Sequence, residues 1–150
     1  MKTRKLSSDA GQTVWAVVFG AGEDPLAGLA AFAREQKLSA AQFSAIGAFE
    51  RAVLGFFDVE RRDYHRIPVE EQTEVVSLTG NVTLAPDGDK RKLHIHAVLG
   101  RRSGEAVVGH LLEARVRPTL EVILSETPAH LRRRHDPETG LSLLPADGSG

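Results

Sequence analysis

Apolar side chains fall along this chain in short runs broken by turn residues, and the spacing inside each run differs. Thr13–Phe19 (TVWAVVF) is continuous and rich in β-branched residues, which predicts a strand covered on both faces. Gly20 and Gly22 punctuate its end, and Asp24–Pro25 supplies a helix N-cap followed by proline at the first helical position. Leu26, Leu29, Ala30 and Ala33 then recur at helical spacing, so the clearest helix is expected over about residues 25–37.

Beyond that helix the signals are β. Gln42–Phe49 and Ala52–Asp58 read as two strands, with Gly55 hinting at a bulge or a close backbone approach. Tyr64–Ile67 alternates weakly and stops at Pro68, and Glu74–Leu84 reads as a longer strand. Pro86–Asp89 is a turn cluster. Leu93–Leu99 and Ala106–Leu112 make a hairpin around the polar loop 100–105, Thr119–Leu124 is a further strand, and Pro128–Arg134 is expected as a short helix. One main helix against many strands joined by short turns predicts an α+β fold with a mostly antiparallel β-sheet. Residues 1–11 are expected as a flexible N-terminal tail, 12–135 as the domain, and 136–150, rich in Pro, Gly, Ser and Asp, as a flexible C-terminal tail.

Composition narrows the chemistry. Among 150 residues there is no cysteine, which excludes disulfides, thiol nucleophiles and thiolate-bound metals. Six histidines remain as the nitrogen side-chain ligands for a transition metal. The formal net charge of −1 does not suggest a strongly basic nucleic-acid binder. No apolar run is long enough for a secretory signal or a membrane span, so a cytoplasmic protein with no membrane partner is expected.

Three histidines have a pattern. His94 and His96 stand two apart on a predicted strand, so both imidazoles point to one face while Ile95 and Ala97 face the other. If Leu99 pairs with Val107 across the hairpin, His96 sits opposite His110, with Cβ atoms about 5 Å apart. Three neutral imidazoles with a fourth position open describe a catalytic-type zinc centre. The competing account is three histidines lining a sheet face and hydrogen-bonded to neighbours or water, and a slip of one residue would turn His110 away. His65, His130 and His135 show no spacing pattern.

The stretch LHIHAVLGRRSGEAVVGHLLEARVRPTLEVIL resembles the plant- and prokaryote-conserved (PPC) domain, which occurs beside AT-hooks in plant nuclear proteins and alone in many bacteria. Gly22–Asp24, Ile46–Ala48, Glu74–Val75, Gly80–Asn81 and Glu121–Val122 extend the resemblance over about residues 12–126. Val108 departs from the pattern, since many members have two glycines before the last histidine. The resemblance implies a compact α+β domain assembled as a homotrimer. Its fold class includes the acetolactate decarboxylases, zinc enzymes whose ligands also come as His-x-His and a later histidine. Carried over, His94, His96 and His110 are the matching ligands and zinc the implied metal. The other catalytic residues of those enzymes have no match here, so the decarboxylase activity does not transfer and the catalytic residues are unknown.

Three functional classes follow. DNA-binding or regulation is what the family label favours. This chain has no Arg-Gly-Arg-Pro hook; of its basic clusters, which include Arg132–Arg134, those at the two ends of one predicted strand, Lys90, Arg91 and Lys92, and Arg101 and Arg102, are left to contact phosphates. Such runs also serve as solvated edges that discourage strand aggregation. A zinc-dependent small-molecule enzyme is the alternative, with Glu121, Glu74 or Arg115 as groups to approach the metal, while Glu113, three residues past His110 on a continued strand, is expected to face the opposite side. The third class is a trimeric interaction module, for which the apolar density of residues 42–58 speaks, with ordinary core as the competing account of the same residues. No G-x-S-x-G element or glycine-rich phosphate loop is present.

Overall fold

The computed structural model describes residues 1–146. Of the expected C-terminal tail, residues 147–150, with Gly148 and Gly150, lie outside the described residues. The elements run β1 (Lys2–Asp9), β2 (Gln12–Gly20), α1 (Pro25–Glu35), β3 (Ala40–Asp58), β4 (Asp63–Val69), β5 (Thr73–Leu84), β6 (Arg91–Gly100), β7 (Ala106–Glu126), β8 (Arg134–His135) and β9 (Ser142–Leu143). All named strand pairings are antiparallel, and no described helix is long and apolar enough to cross a membrane.

Two long strands organise the sheet. Strand β7 pairs with β3 along one edge; on the other it pairs with β6 through residues 106–110 and with β2 through 119–126. Strand β3 meets β5 through its first half and β4 through its second. Because β5 also pairs with β6, the strands β3, β5, β6 and β7 close a ring, from which β4 and the β1–β2 pair extend.

Helix α1 forms where the sequence places it. The Asp24 carboxylate accepts the amides of Leu26 and Ala27 at 3.0 Å each, satisfying two donors that the first turn leaves open. Its buried face presents Leu29, Phe32 and Ala33 to a core that includes Val17, Phe19, Leu38, Phe49, Leu99 and Leu124. Phe32 meets Trp15 edge-on at 5.3 Å. Burying a side chain of this size stabilises by roughly 1.5–3 kcal/mol, which holds the helix against the sheet.

The structure corrects several expectations. Residues 2–9, expected within a tail, form strand β1 against β2, although every one of their side chains is exposed. The two strands expected within 42–58 are one, and so are those within 106–124, because bulges rather than breaks absorb the polar interruptions. Pro118, which has no amide hydrogen for a ladder, sits where the β3 partner skips from Leu120 to Val116. Residues 128–134 are not helical: Leu84 bridges Arg132 in parallel and Arg134 opens β8. Residues 134–143, expected largely as tail, fold into the β8–β9 pair. Of the apolar residues in 42–58, Phe43, Phe49 and Leu54 are core, while Ile46 and Phe56 are 61% and 67% exposed.

Candidate metal centre

Strand alternation and the hairpin register build the site. On β6, Ile95 and Ala97 are buried in the core while His94 and His96 point the other way. Leu99 stands opposite Val107, so His96 stands opposite His110, as the sequence reading anticipates. The third side comes from β3, whose Gly55 is the other cross-strand neighbour of His110. A Cβ on Gly109 would lie 2.8 Å from the Gly55 carbonyl oxygen, and one on Gly55 would lie 2.7 Å from the Tyr64 ring. Glycine at both positions lets β3 close on β7 and lets Tyr64 reach the site.

The three imidazoles cluster. Their ring centroids are 4.9 Å (His94–His96), 5.2 Å (His94–His110) and 5.5 Å (His96–His110) apart. One ring nitrogen from each lies within 4.8 Å of the other two. The Nε2 atoms of His94 and His96 are 3.0 Å apart, close to the roughly 3.3 Å separating two nitrogens that share a tetrahedral zinc at 2.0–2.1 Å. Nδ1 of His110 is buried and has no hydrogen-bond partner among the described residues. A neutral nitrogen donor set with a buried, unsatisfied member fits a zinc ion.

Burial and neighbouring charge disfavour protonation of two of the rings, His94 and His110. Burial, followed by the charges of His94, His96, Arg133 and Lys92, holds the His110 imidazole down to about 4. Burial, then Arg133 and His96, also lowers the pKa of His94. Tyr64, whose ring lies 5.0 Å from that of His110, has its phenol pKa raised by burial.

Sequence reasoning missed Arg133. It is 5% exposed and donates from Nε to Thr83 Oγ1 (2.9 Å), from Nη2 to Asn81 Oδ1 (2.8 Å) and from Nη1 to the Ser142 carbonyl (2.9 Å). Asn81 and Thr83 are the cross-strand partners of His94 and Lys92, which sets the guanidinium beside the histidine face. Burial lowers its pKa, yet a guanidinium stays charged at neutral pH. The available signal was period-two alternation: in an extended segment, 133 faces opposite to 132 and 134.

The other sequence candidates lie elsewhere. Glu113 pairs with Arg66, and Arg115 pairs with Asp24 at 3.4 Å. Glu74 and Glu121 are exposed, and neither lines a cleft at the histidines. Residues 90–92 and 101–102 sit at opposite ends of β6, about 30 Å apart for a strand of its length. Arg91 donates to the Leu38 and Asp89 carbonyls, and Arg101 pairs with Glu71 at 2.5 Å. His130 meets Ser39 at 2.6 Å, and His65 and His135 are exposed.

A family model described as the Plants and Prokaryotes Conserved (PCC) domain matches residues 6–128. This chain belongs to the PCC family. The PCC chain is 34% identical to a metal-containing protein of Archaeoglobus fulgidus, with a TM-score of 0.79, covering 87% of this chain and 91% of that one. It is 29% identical to a plant- and prokaryote-conserved (PPC) protein of Pyrococcus horikoshii, at a TM-score of 0.81 and coverage of 88% and 90%. A protein of Ralstonia eutropha JMP134, named provisionally as DNA-binding, is 25% identical at a TM-score of 0.82, with 94% of each chain covered. A more distant likeness, of fold alone, is to a Staphylococcus aureus protein similar to alpha-acetolactate decarboxylase, 12% identical at a TM-score of 0.50 over 73% of this chain and 50% of that one. Comparison with curated proteins yields no match.

Proposed function

We propose that this PCC protein is a zinc protein of the open, catalytic type. His94, His96 and His110 hold one zinc ion per chain, with a coordination position left for a small molecule in the adjoining cleft. The observation that carries this reading is the convergence of three ring nitrogens within 4.8 Å of one another. The metal-containing relative from Archaeoglobus fulgidus adds support. The cleft beside the cluster encloses about 560 Å³ and is lined by Phe56, Phe57, Tyr64, Val98, Val108 and Leu141 among others, a size and character suited to a small organic ligand. Bound zinc would supply Lewis acidity toward a carbonyl or an activated water. Tyr64, protonated at neutral pH, stands next to His110 as a hydroxyl for orienting what enters. In this reading copies of the chain assemble, as a trimer by family resemblance, and cover exposed apolar residues such as Ile46, Val76 and Ile123.

The test is metal analysis of untagged protein stripped with chelator and reloaded. One zinc per chain is expected, and its loss in His94→Ala. A wild-type chain that retains no zinc, or a variant that retains all of it, overturns the proposal.

A second reading, contact with DNA, draws on the name of the Ralstonia relative and on Lys90, Arg91, Lys92, Arg101 and Arg102. It requires duplex binding that weakens steeply with salt. No binding at low ionic strength removes it.

A further inference from the structure

Three clefts reach the histidines, and among the described residues no aspartate or glutamate lines any of them. The smallest, about 240 Å³, is lined by Tyr64, Lys92, His94, His110, Arg133 and residues 140–143. Arg133 is almost wholly buried, its three hydrogen bonds go to neutral oxygens, and no described carboxylate comes within ion-pair distance of it or of Lys92. A buried charge without a counter-charge costs several kcal/mol, and the same three oxygens would accept hydrogen bonds from a neutral donor. Three neutral imidazoles around a divalent metal add positive charge and no negative charge. The neighbouring cleft is apolar, with Phe56, Phe57, Val98, Val108 and Leu141, and the two clefts share Tyr64, His94, His110 and Leu141.

We infer that the site receives a small organic acid, its carboxylate seated between the histidine cluster and the cations Arg133 and Lys92, its apolar body in the larger cleft. The missing counter-charge is then brought by the ligand, and a guanidinium is the side chain best shaped to receive a carboxylate. This deepens the zinc reading and rests on it for the ligand's contact with metal; the selection by charge that remains in zinc-free protein rests on Arg133 and Lys92. Among the described residues, no lining carboxylate is present to act as an acidic general base.

The test is calorimetric titration of zinc-loaded and zinc-free protein with hexanoate, with the neutral isostere hexanamide, and with inorganic phosphate. Hexanoate is expected to bind the zinc-loaded chain at least about tenfold more tightly than hexanamide, the equivalent of one charge-assisted hydrogen bond. It should also bind more tightly than phosphate, which cannot use the apolar cleft. In zinc-free protein Lys92→Ala, at an exposed position, should reduce the acid-over-amide preference by about threefold, and Arg133→Met should reduce it further than Lys92→Ala does, in protein whose circular dichroism is unchanged. If Arg133→Met does not fold, Arg133→Lys, which keeps the charge but not the planar fork, serves in its place and should retain part of the preference. Equal binding of acid and amide overturns the inference, and phosphate binding as tightly as hexanoate overturns the organic-acid assignment. The two proposals fail separately: a chain that holds no zinc but still prefers hexanoate to hexanamide refutes the metal reading and upholds this one.

Discussion

The cleft among Asp24, Arg51, Glu70, Glu113 and Arg115 and the clefts around the three histidines belong to one sheet and share the strands β3 and β7, yet their charges are arranged differently. In the first, Arg51 and Arg115 face each other directly across strands, an unfavourable like-charge pair. The repulsion is relieved locally, since Arg115 pairs with Asp24, while Glu113 is held by Arg66 and Glu70 lines the same wall. At the histidines no described aspartate or glutamate lines the clefts, and a buried arginine has no described carboxylate within ion-pair distance. The pairs of Arg115 with Asp24 and of Glu113 with Arg66 are water-exposed, worth about 0–1 kcal/mol each. The histidine clefts hold three imidazoles and a buried arginine with no described carboxylate beside them, and that imbalance is what the zinc and organic-acid proposals build on.

The comparison is broken most directly at a ligand. His110→Ala should reduce zinc affinity by more than about 100-fold, beyond the loss typical of residues that only support a ligand, whereas Glu113→Ala should leave zinc content unchanged. Metal titration against a chromophoric chelator reads both. Equal effects of the two variants would erase the distinction between the clefts. Gly109→Ala comes next: its Cβ meets the Gly55 carbonyl oxygen at 2.8 Å, so urea denaturation should show a loss of about 1–3 kcal/mol, together with weakened zinc binding as β3 is pushed from β7.

Acid sharpens the contrast. The unfolded chain protonates His94 and His110 near the ordinary imidazole value of 6.5, whereas the folded chain holds His110 down to about 4 and His94 below its ordinary value. Below about 6.5 the unfolded state therefore binds more protons. The stability of zinc-free protein should fall as pH drops from about 6.5 toward about 4, and this component should vanish in a His94→Gln/His110→Gln double variant. A pH profile identical in that variant would show that the rings are not held neutral by the fold. The smallest effects belong to the balanced cleft. Asp24→Ala removes the helix cap and should cost about 1 kcal/mol in thermal unfolding, and Arg115→Ala, leaving the cap in place, less than that.

Much of the site was legible along the chain because it rests on local rules. Alternation on β6 decided that His94 and His96 share a face, whereas the pairing of His96 with His110 followed only if Leu99 met Val107, the register the hairpin adopts. The helix was legible from its cap and its spacing. Strand β1 was not: its side chains are all exposed, so no burial pattern marks it, and it exists because β2 offers it a free edge. Arg133 was hidden by a helical reading of 128–134, which merges three arginines into one solvated cluster. In the extended chain only Arg133 turns inward. Tyr64 was equally silent, since its approach to His110 depends on Gly55, two strands away from the His-x-His pair.

By itself the sequence bounded the chemistry open to this protein: without cysteine, any transition-metal site would use nitrogen and oxygen, and a His-x-His strand puts two imidazoles on one face, with a third from its hairpin partner if the register is right. Tertiary structure alone decided what surrounds them. The ring of β3, β5, β6 and β7, the β8–β9 segment tied down through Arg133, and the exclusion of every described carboxylate from the adjoining clefts all depend on contacts between residues distant in the chain. Strand periodicity reports which face a side chain takes, whereas charge balance at a site is a sum over everything that folding brings there.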